Sequence, residues 1–561
     1  MFGLARTWPD RPMLRAHRED AWHGITWGVF ARLAASAARR LRQAGVAAGD
    51  RVLITSENRP EYPIAETALM AIRAVPVPTY TTNTIADHAH ILRDSGARAA
   101  IVSSPRLAQR ITEAARERGG LDVLVVMDGG ARAEAAGGLA WSDLVADDLP
   151  PDDIALEAAG IPPGTLACLI YTSGTGGAPK GVMLPHRSVL ANCRGAFELL
   201  RPLRIHDDVY LSFLPLSHAY EHTAGQFFLL SLGAEVVYAR GVEHIAADMR
   251  TVRPTIMTVV PRILEAIRGR ILAQVAREKP WKRALFERAM AIGLRRLDGA
   301  LTLGDRLLDP VLDLLVRRRV RARLGTRLRA VMSGGARLEP DVGRFFLAMG
   351  IKVMQGYGQT EAGPVISANP PEAIRIDTVG LLLPGVGVRI AEDGEILVRG
   401  ELVMDGYWDQ PEATRAVIRD GWLHTGDIGT LDPDGYLFIT DRKRDMIVLS
   451  GGENVSPAKI EGMLMAEPEI AQAVVAGEGR SGLTALVVPE KGFDEVAVAV
   501  AVSRANLRLS VTERVRSHRI VGPFTVENGL LTPSHKIRRL LVMREYARTL
   551  AGLDARAPRR A

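Results

Sequence analysis

The chain has 561 residues, 47% hydrophobic and 24% charged, with a formal net charge of +7. That length exceeds what one hydrophobic core supports, so at least two domains are expected, and the composition is not that of a disordered or collagen-like chain. Cys168 and Cys193, the two cysteines, cannot form a disulfide framework and read as small buried hydrophobes. MFGLARTWPDRP has no apolar signal core and no apolar run reaches about 18 residues, so a cytoplasmic protein without a spanning helix is expected.

In chain order, residues 20–170 alternate helical stretches such as 29–44 with short apolar runs at Arg51–Thr55, Ala99–Val102 and 123–127. That alternation predicts parallel strands with crossover helices, and it returns at 209–213, Glu235–Tyr238 and 256–260. Residues 282–329 then hold thirteen basic against five acidic side chains. Within them Leu307, Leu308, Val311, Leu312, Leu315 and Val316 are spaced for one apolar helix face, followed by Arg317, Arg318 and Arg319. Two readings stand level: a basic surface for anionic lipid headgroups, or a solvated helix face. Nucleic acid is not expected, because no recognised binding module accompanies the charge. Around 388–398 and 436–439 the texture changes to short strands with Asp393-Gly394 and Asp434-Gly435 turns. After Asp441 the charged RKRD leads into a smaller unit that ends in the basic tail ARAPRRA. The expected fold class is α/β: a large body over 1–441 with parallel sheets and a small β subdomain, then a small mobile α+β domain over 442–561.

The run YTSGTGGAPKG at 171–181 gathers four hydroxyl side chains, four glycines and one lysine directly after an apolar run. Such a stretch cannot fill a core, but it can wrap a polyphosphate with backbone N–H groups, hydroxyls and one cation. Lys180 follows Pro179 and precedes Gly181, which breaks the P-loop template, and Glu361 stands where a dinucleotide fingerprint needs its third glycine.

Six further motifs follow: LPLSH at 214–218, SGGA at 333–336, QGYGQTE at 355–361, GWLHTGDIG at 421–429, DRKRDMIVLSGGENVSP at 441–457 and LTPSHKIRR at 531–539. Together with the loop they resemble, in order and across almost the whole chain, the AMP-forming acyl-adenylating enzymes. VMLPHRSVLAN, FLPLSHAYEH and LTPSHKIRR, with a long helical insert after VPRILE, look most like long-chain fatty-acid–CoA ligases. One departure is Gly176, where the usual YTSGTTGxPKG has a second threonine.

The resemblance implies ATP, Mg²⁺ and coenzyme A as partners of a fatty acid, which is activated to acyl-AMP and then to acyl-CoA. Thr172, Ser173, Gly174, Thr175, Gly176 and Lys180 would cradle phosphate, while Glu361 and Thr175 would serve the metal. Gly334, Gly335 and Ala336 offer a flat wall for the purine, with Gln355, Gly356, Tyr357, Gly358, Gln359 and Thr360 beside it. Asp427 would hold the ribose and Arg442 the ribose or phosphate. Lys536 would bridge the attacking carboxylate and the α-phosphate, a task suited to a compact charge on a flexible stem. Gly451 and Gly452 would turn toward the pantetheine channel after a rotation pivoting at Arg444, and His218 would gate the acyl site.

Two alternatives stay open: transfer to a carrier-protein phosphopantetheine, and a degenerate nucleotide binder. His218 to His222 also match the zinc pattern H-x-x-E-H, but their setting in FLPLSH belongs to the adenylating resemblance.

Overall fold

The computed structural model describes residues 1–128, 138–172, 178–205, 207–443, 445–451, 453–532 and 536–554. Two sheets with parallel centres dominate the large body. The smaller runs in the order Val75–Thr79, Arg51–Thr55, Ala99–Val102, Val123–Val126, Leu139–Ala140, every pair parallel. At the centre of the nine-stranded sheet lie Lys352–Gly358, Ala330–Ser333, Ile256–Val259, Val209–Ser212, Glu235–Tyr238 and Pro12–Arg18, again parallel, with antiparallel strands added at both edges. The expected strands are present, each within one residue of the apolar run that announced it.

The layer between the sheets explains their spacing. Helix Trp27–Gln43 starts at Thr26, whose hydroxyl accepts from Val29 N–H, and it buries Ala31, Ala34, Ala35 and Ala38 alongside Trp27, Phe30 and Leu41. A stripe of alanines lets the next helix, Glu61–Ala71, come close, and that helix is buried on every side except at Met70. Both share one core with strand residues Leu14, Val52 and Ile54. Burying each large apolar side chain there contributes roughly 1.5–3 kcal/mol.

Two antiparallel units complete the large body. Strands Leu166–Thr172, Lys180–Pro185 and Gly406–Tyr407 form one, and Gly387–Ile390, Glu395–Arg399, Ile418–Arg419, Trp422–Leu431 and Leu437–Arg442 the other. Beyond residue 443, Ile470–Ala476, Leu483–Pro489 and Val515–Ile520 make a three-stranded sheet whose two cores contain no side chain from the large body.

The basic segment departs from expectation. Its apolar positions do not form one face: Leu312 and Val316 are buried, whereas Leu307 is 79% and Val311 51% exposed, in line with Leu303 and Leu314. The helix Leu303–Leu312 opens into a π-turn at Asp313–Arg317. It touches the core only along its inner edge, so an apolar ridge is left facing outward. Arg317 is not part of the basic surface either. It is fully buried, with its guanidinium on Asp309 at 2.7 Å and on the Ala289 carbonyl at 2.9 Å. Arg318 and Arg319 are exposed. No helix among the described residues is long and apolar enough to cross a membrane.

Candidate active site

The glycine- and hydroxyl-rich run begins and ends on two strands that pair antiparallel. Thr172 ends one strand and pairs with Lys180, which begins the next. Ser173, Gly174, Thr175 and Gly176 lie outside the described residues. Both arms are fastened to helix Ile85–Ser95: Tyr171 OH donates to Asp94 at 2.6 Å, and His90 Nε2 stands 2.8 Å from the Pro179 carbonyl. Lys180 Nζ lies 4.8 Å from the centre of the Tyr407 ring, and Tyr407 OH donates to Glu361 Oε1 at 2.9 Å. The loop cation and the QTE carboxylate thus share one aromatic side chain from a third strand. No motif singled out Tyr407. Its signal is only the GYW at 406–408, and its pairing with Val182 becomes apparent once the sheet forms.

The wall at Gly334 and Gly335 follows strand Ala330–Ser333. The Tyr220 ring lies against Gly334, so closely that a Cβ there would come within 2.9–3.2 Å of it, and Tyr220 OH donates to the Met332 carbonyl at 2.9 Å. Gly335 needs its glycine for a φ of +80°. Gly356 and Gly358 lie on the neighbouring strand, where a Cβ at Gly358 would collide with the Pro364 backbone. Gln355 turns inward instead: its side chain accepts from Leu338 N–H and donates to the Thr378 carbonyl, tying two loops together. Thr360 opens the short helical turn Thr360–Ala362 that carries Glu361, and Gln359 precedes it.

Asp427 is buried and receives the Tyr357 hydroxyl at 2.6 Å, with Arg442 Nε at 3.3 Å on its other oxygen. Burial pushes this carboxyl up, while Arg442, Tyr357 and Lys536 oppose the rise. Asp427 and Arg442 are register partners across an antiparallel pair, so the sheet itself aligns them.

Lys536 comes from the small domain. Its N–H donates to Thr532 Oγ1 at 3.0 Å and its carbonyl accepts from Thr532 N–H at 2.8 Å. The side chain keeps solvent contact, yet the cleft walls crowd it. That crowding and Arg442 lower its pKa, while Asp427 and Glu361 pull it back. Crowding and Lys536 push His218 down to about 3, so its ring is neutral. Lys536, Glu361, Asp427, Arg442 and His218 therefore meet in one cleft between the two domains. Gly451 is exposed in the hairpin joining Ile447–Val448 to Asn454–Val455; Gly452, like Arg444, lies outside the described residues.

Residues 3–408 match the AMP-binding enzyme family, and residues 444–556 match the AMP-binding enzyme C-terminal domain. The chain belongs to the AMP-binding enzyme family. Among its relatives, long-chain-fatty-acid–CoA ligase FadD15 of Mycobacterium tuberculosis is 32% identical, over 98% of this chain and 95% of that one. Long-chain-fatty-acid–CoA ligase 6 of Homo sapiens is 31% identical over 88% and 76%. In fold, this AMP-binding enzyme superposes on the anthranilate CoA ligase AuaEII in complex with anthranoyl-AMP, with a TM-score of 0.75, 21% identity and coverage of 97% and 96%. It likewise superposes on the o-succinylbenzoate CoA synthetase MenE of Bacillus subtilis in complex with ATP and magnesium, with a TM-score of 0.69, 22% identity and coverage of 96% and 98%.

The oxygen donors fit magnesium. Among the described residues no three His, Cys, Asp or Glu side chains gather as a metal cage, and Mg²⁺ arriving with a polyphosphate needs only one or two carboxylates. Glu361 uses one oxygen on Tyr407 and stays half-buried at the cleft. The zinc pattern does not assemble: Glu221 binds hydroxyls of the nine-stranded sheet, whereas His222 binds Glu66. On the flank of the large body, Phe197, Leu200, Ile205, Phe228 and Leu232 line a groove of about 840 Å³ with Arg201 and Arg204 among its walls.

Proposed function

We propose that this chain is an AMP-forming fatty acid–CoA ligase. In the first half-reaction the acid's carboxylate oxygen attacks the α-phosphorus of ATP and pyrophosphate leaves. In the second, the CoA thiol attacks the acyl carbonyl and AMP leaves. The observation that carries the reading is the convergence of Lys536 with Asp427, Arg442 and Glu361, which puts one mobile cation beside the groups suited to a ribose and a phosphate. Positioning and electrostatic stabilisation dominate such phosphoryl chemistry. Lys536 orients the carboxylate and faces the developing phosphoryl charge, Asp427 accepts from the ribose hydroxyls, and Tyr357 and the Gly334 wall take the purine. Glu361, with Thr175, would hold Mg²⁺, which supplies charge neutralisation on the phosphates. The division between 441 and 442 is supported by the separate hydrophobic cores of the sheet beyond residue 443. The test is ATP–pyrophosphate exchange and AMP release over a panel of acids, with CoA and then a carrier protein as acceptor. Fatty-acid-dependent AMP and acyl-CoA are expected; ADP, or no acid dependence, would refute the assignment.

The named relatives support a long-chain acid. Peripheral contact with an anionic bilayer at the cytoplasmic face is supported by the exposed ridge Leu303, Leu307, Val311 and Leu314, with exposed Arg306, Arg318 and Arg319 around it. Apolar insertion and headgroup attraction would act together there. Sedimentation with phosphatidylglycerol vesicles at low salt should carry the protein down and Leu307→Glu should release it; a supernatant-only wild type would end the idea.

A further inference from the structure

Between His218 and Phe228 the chain passes through a π-turn, Glu221–Phe227, whose polar side chains Glu221, His222, Thr223 and Gln226 are all buried. A π-turn is rare and persists where surrounding contacts over-determine it. Two carboxylates do so here. Glu66, on helix Glu61–Ala71, stands 2.6 Å from His222 Nε2 and accepts from Gln226 Nε2 at 2.6 Å. On the opposite flank the carboxyl of Glu221 accepts from Tyr210 OH at 2.7 Å, Ser212 Oγ at 2.6 Å and Thr258 Oγ1 at 2.7 Å, hydroxyls from two adjacent strands of the nine-stranded sheet. Gly225 leaves the space this needs, since a Cβ there would collide with the Glu221 carboxyl. Three charge-assisted hydroxyl bonds inside a dry core are strong and directional.

The residues just before the turn reach the cleft. Tyr220, adjacent to Glu221, lays its ring on Gly334. His218 Nδ1 accepts from Tyr220 N–H at 3.2 Å, and its ring feels Lys536. We propose that Glu221 is a positioning residue for the acid-binding half of the site: its ionised carboxylate locks the π-turn to the sheet and so sets Tyr220 and His218 where the acyl group must lie. The proposal rests on the ligase reading above. Glu221 itself touches no substrate.

Burial pushes the Glu221 carboxyl up to about 7 against its three hydroxyl donors. The titratable groups facing it are Tyr210 and Tyr238 from the sheet and Tyr220 from its own segment, with Glu66 beyond Tyr238. As pH falls through 7 the acid form brings its own proton, and one hydroxyl must turn away. The sign for stability is opposite. A carboxyl with a folded pKa above its ordinary 4.5 loses stability as pH rises from about 4.5 through about 7. Above that pH Glu221→Gln should melt no lower than wild type. Fold and function therefore separate in one variant.

The experiment measures KM for a saturated long-chain fatty acid and, separately, for ATP across neutrality, in wild type, Glu221→Gln and Thr258→Val. Wild-type KM for the acid should rise as pH falls through 7. Glu221→Gln should raise it about tenfold and remove that inflection, and Thr258→Val should raise it roughly threefold, both with a smaller rise in KM for ATP because Tyr220 backs the Gly334 wall. Acid and ATP constants rising by the same factor, neither moving, or an inflection surviving in Glu221→Gln would overturn the proposal. Wild type that bound ATP yet turned over no fatty acid would count against the ligase reading. A crystal structure of Glu221→Gln then decides this proposal: a Tyr220 ring displaced from Gly334 supports it and an unmoved ring defeats it.

Discussion

Lys536 carries a charge that no other residue in the cleft can replace geometrically, because Arg442 is already committed to Asp427 at 3.3 Å. Lys536→Ala should slow acyl-AMP formation by about 10²–10³-fold, the usual cost of losing one strong donor to a developing oxyanion. Thioester formation from preformed acyl-AMP should change far less, and pyrophosphate exchange against a single-turnover thiol assay separates the two. Asp427 sits between Tyr357 and Arg442 and is buried. Asp427→Asn keeps the shape but gives up the charge, leaving Arg442 without its carboxylate. KM for ATP should rise on the order of tenfold while KM for the acid holds, measured by initial rates in each substrate.

At the scale of elements, the phosphate hairpin works because both its arms are tied down. Removing the ring with His90→Ala frees the Pro179 carbonyl and should cost about 1 kcal/mol of local order. KM for ATP should rise several-fold, and amide exchange should quicken at Lys180–Pro185 before any other strand of its sheet. The strands were legible because a run of three to five apolar residues buried on both faces has few alternatives, as at Ala99–Val102 and at Val236, Val237 and Tyr238. The motif residues were legible as candidates, since Lys180, Glu361, Asp427, Arg442 and Lys536 occur in phrases whose order is itself the signal. What stayed hidden depends on partners distant in sequence. Glu221 read only as the acid of a zinc pattern, and Arg317 as one of a basic cluster, until Thr258 and Asp309 are seen beside them. Tyr407 gains its role from Lys180 on the paired strand and Glu361 in a helical turn, both distant in sequence. Gln355 was read among the nucleotide residues because its motif is, yet its amide holds backbone. The apolar positions of 307–316 were correctly helical but wrongly assumed to share one buried face, because spacing alone does not say how deep a helix sinks.

For the molecule as a whole, the cleft is assembled from three sheets of the large body, and its lysine arrives from a unit with separate cores. The second half-reaction is expected to need a rotation of that unit. Arg444→Pro, at the pivot inferred from the sequence, should leave pyrophosphate exchange within a few-fold of wild type and suppress acyl-CoA release by at least about tenfold, read as AMP turnover with and without CoA. Separate cores have a thermal consequence as well. The apolar cores from 447 onward contain no side chain of the large body, so the ligand-free chain should show two heat-absorption peaks in differential scanning calorimetry. A non-hydrolysable acyl-adenylate mimic, grasped by Asp427 on one lobe and Lys536 on the other, should staple the lobes and fuse the peaks into one at higher temperature. The width of that merged peak would gauge how firmly a single small molecule welds two otherwise independent bodies.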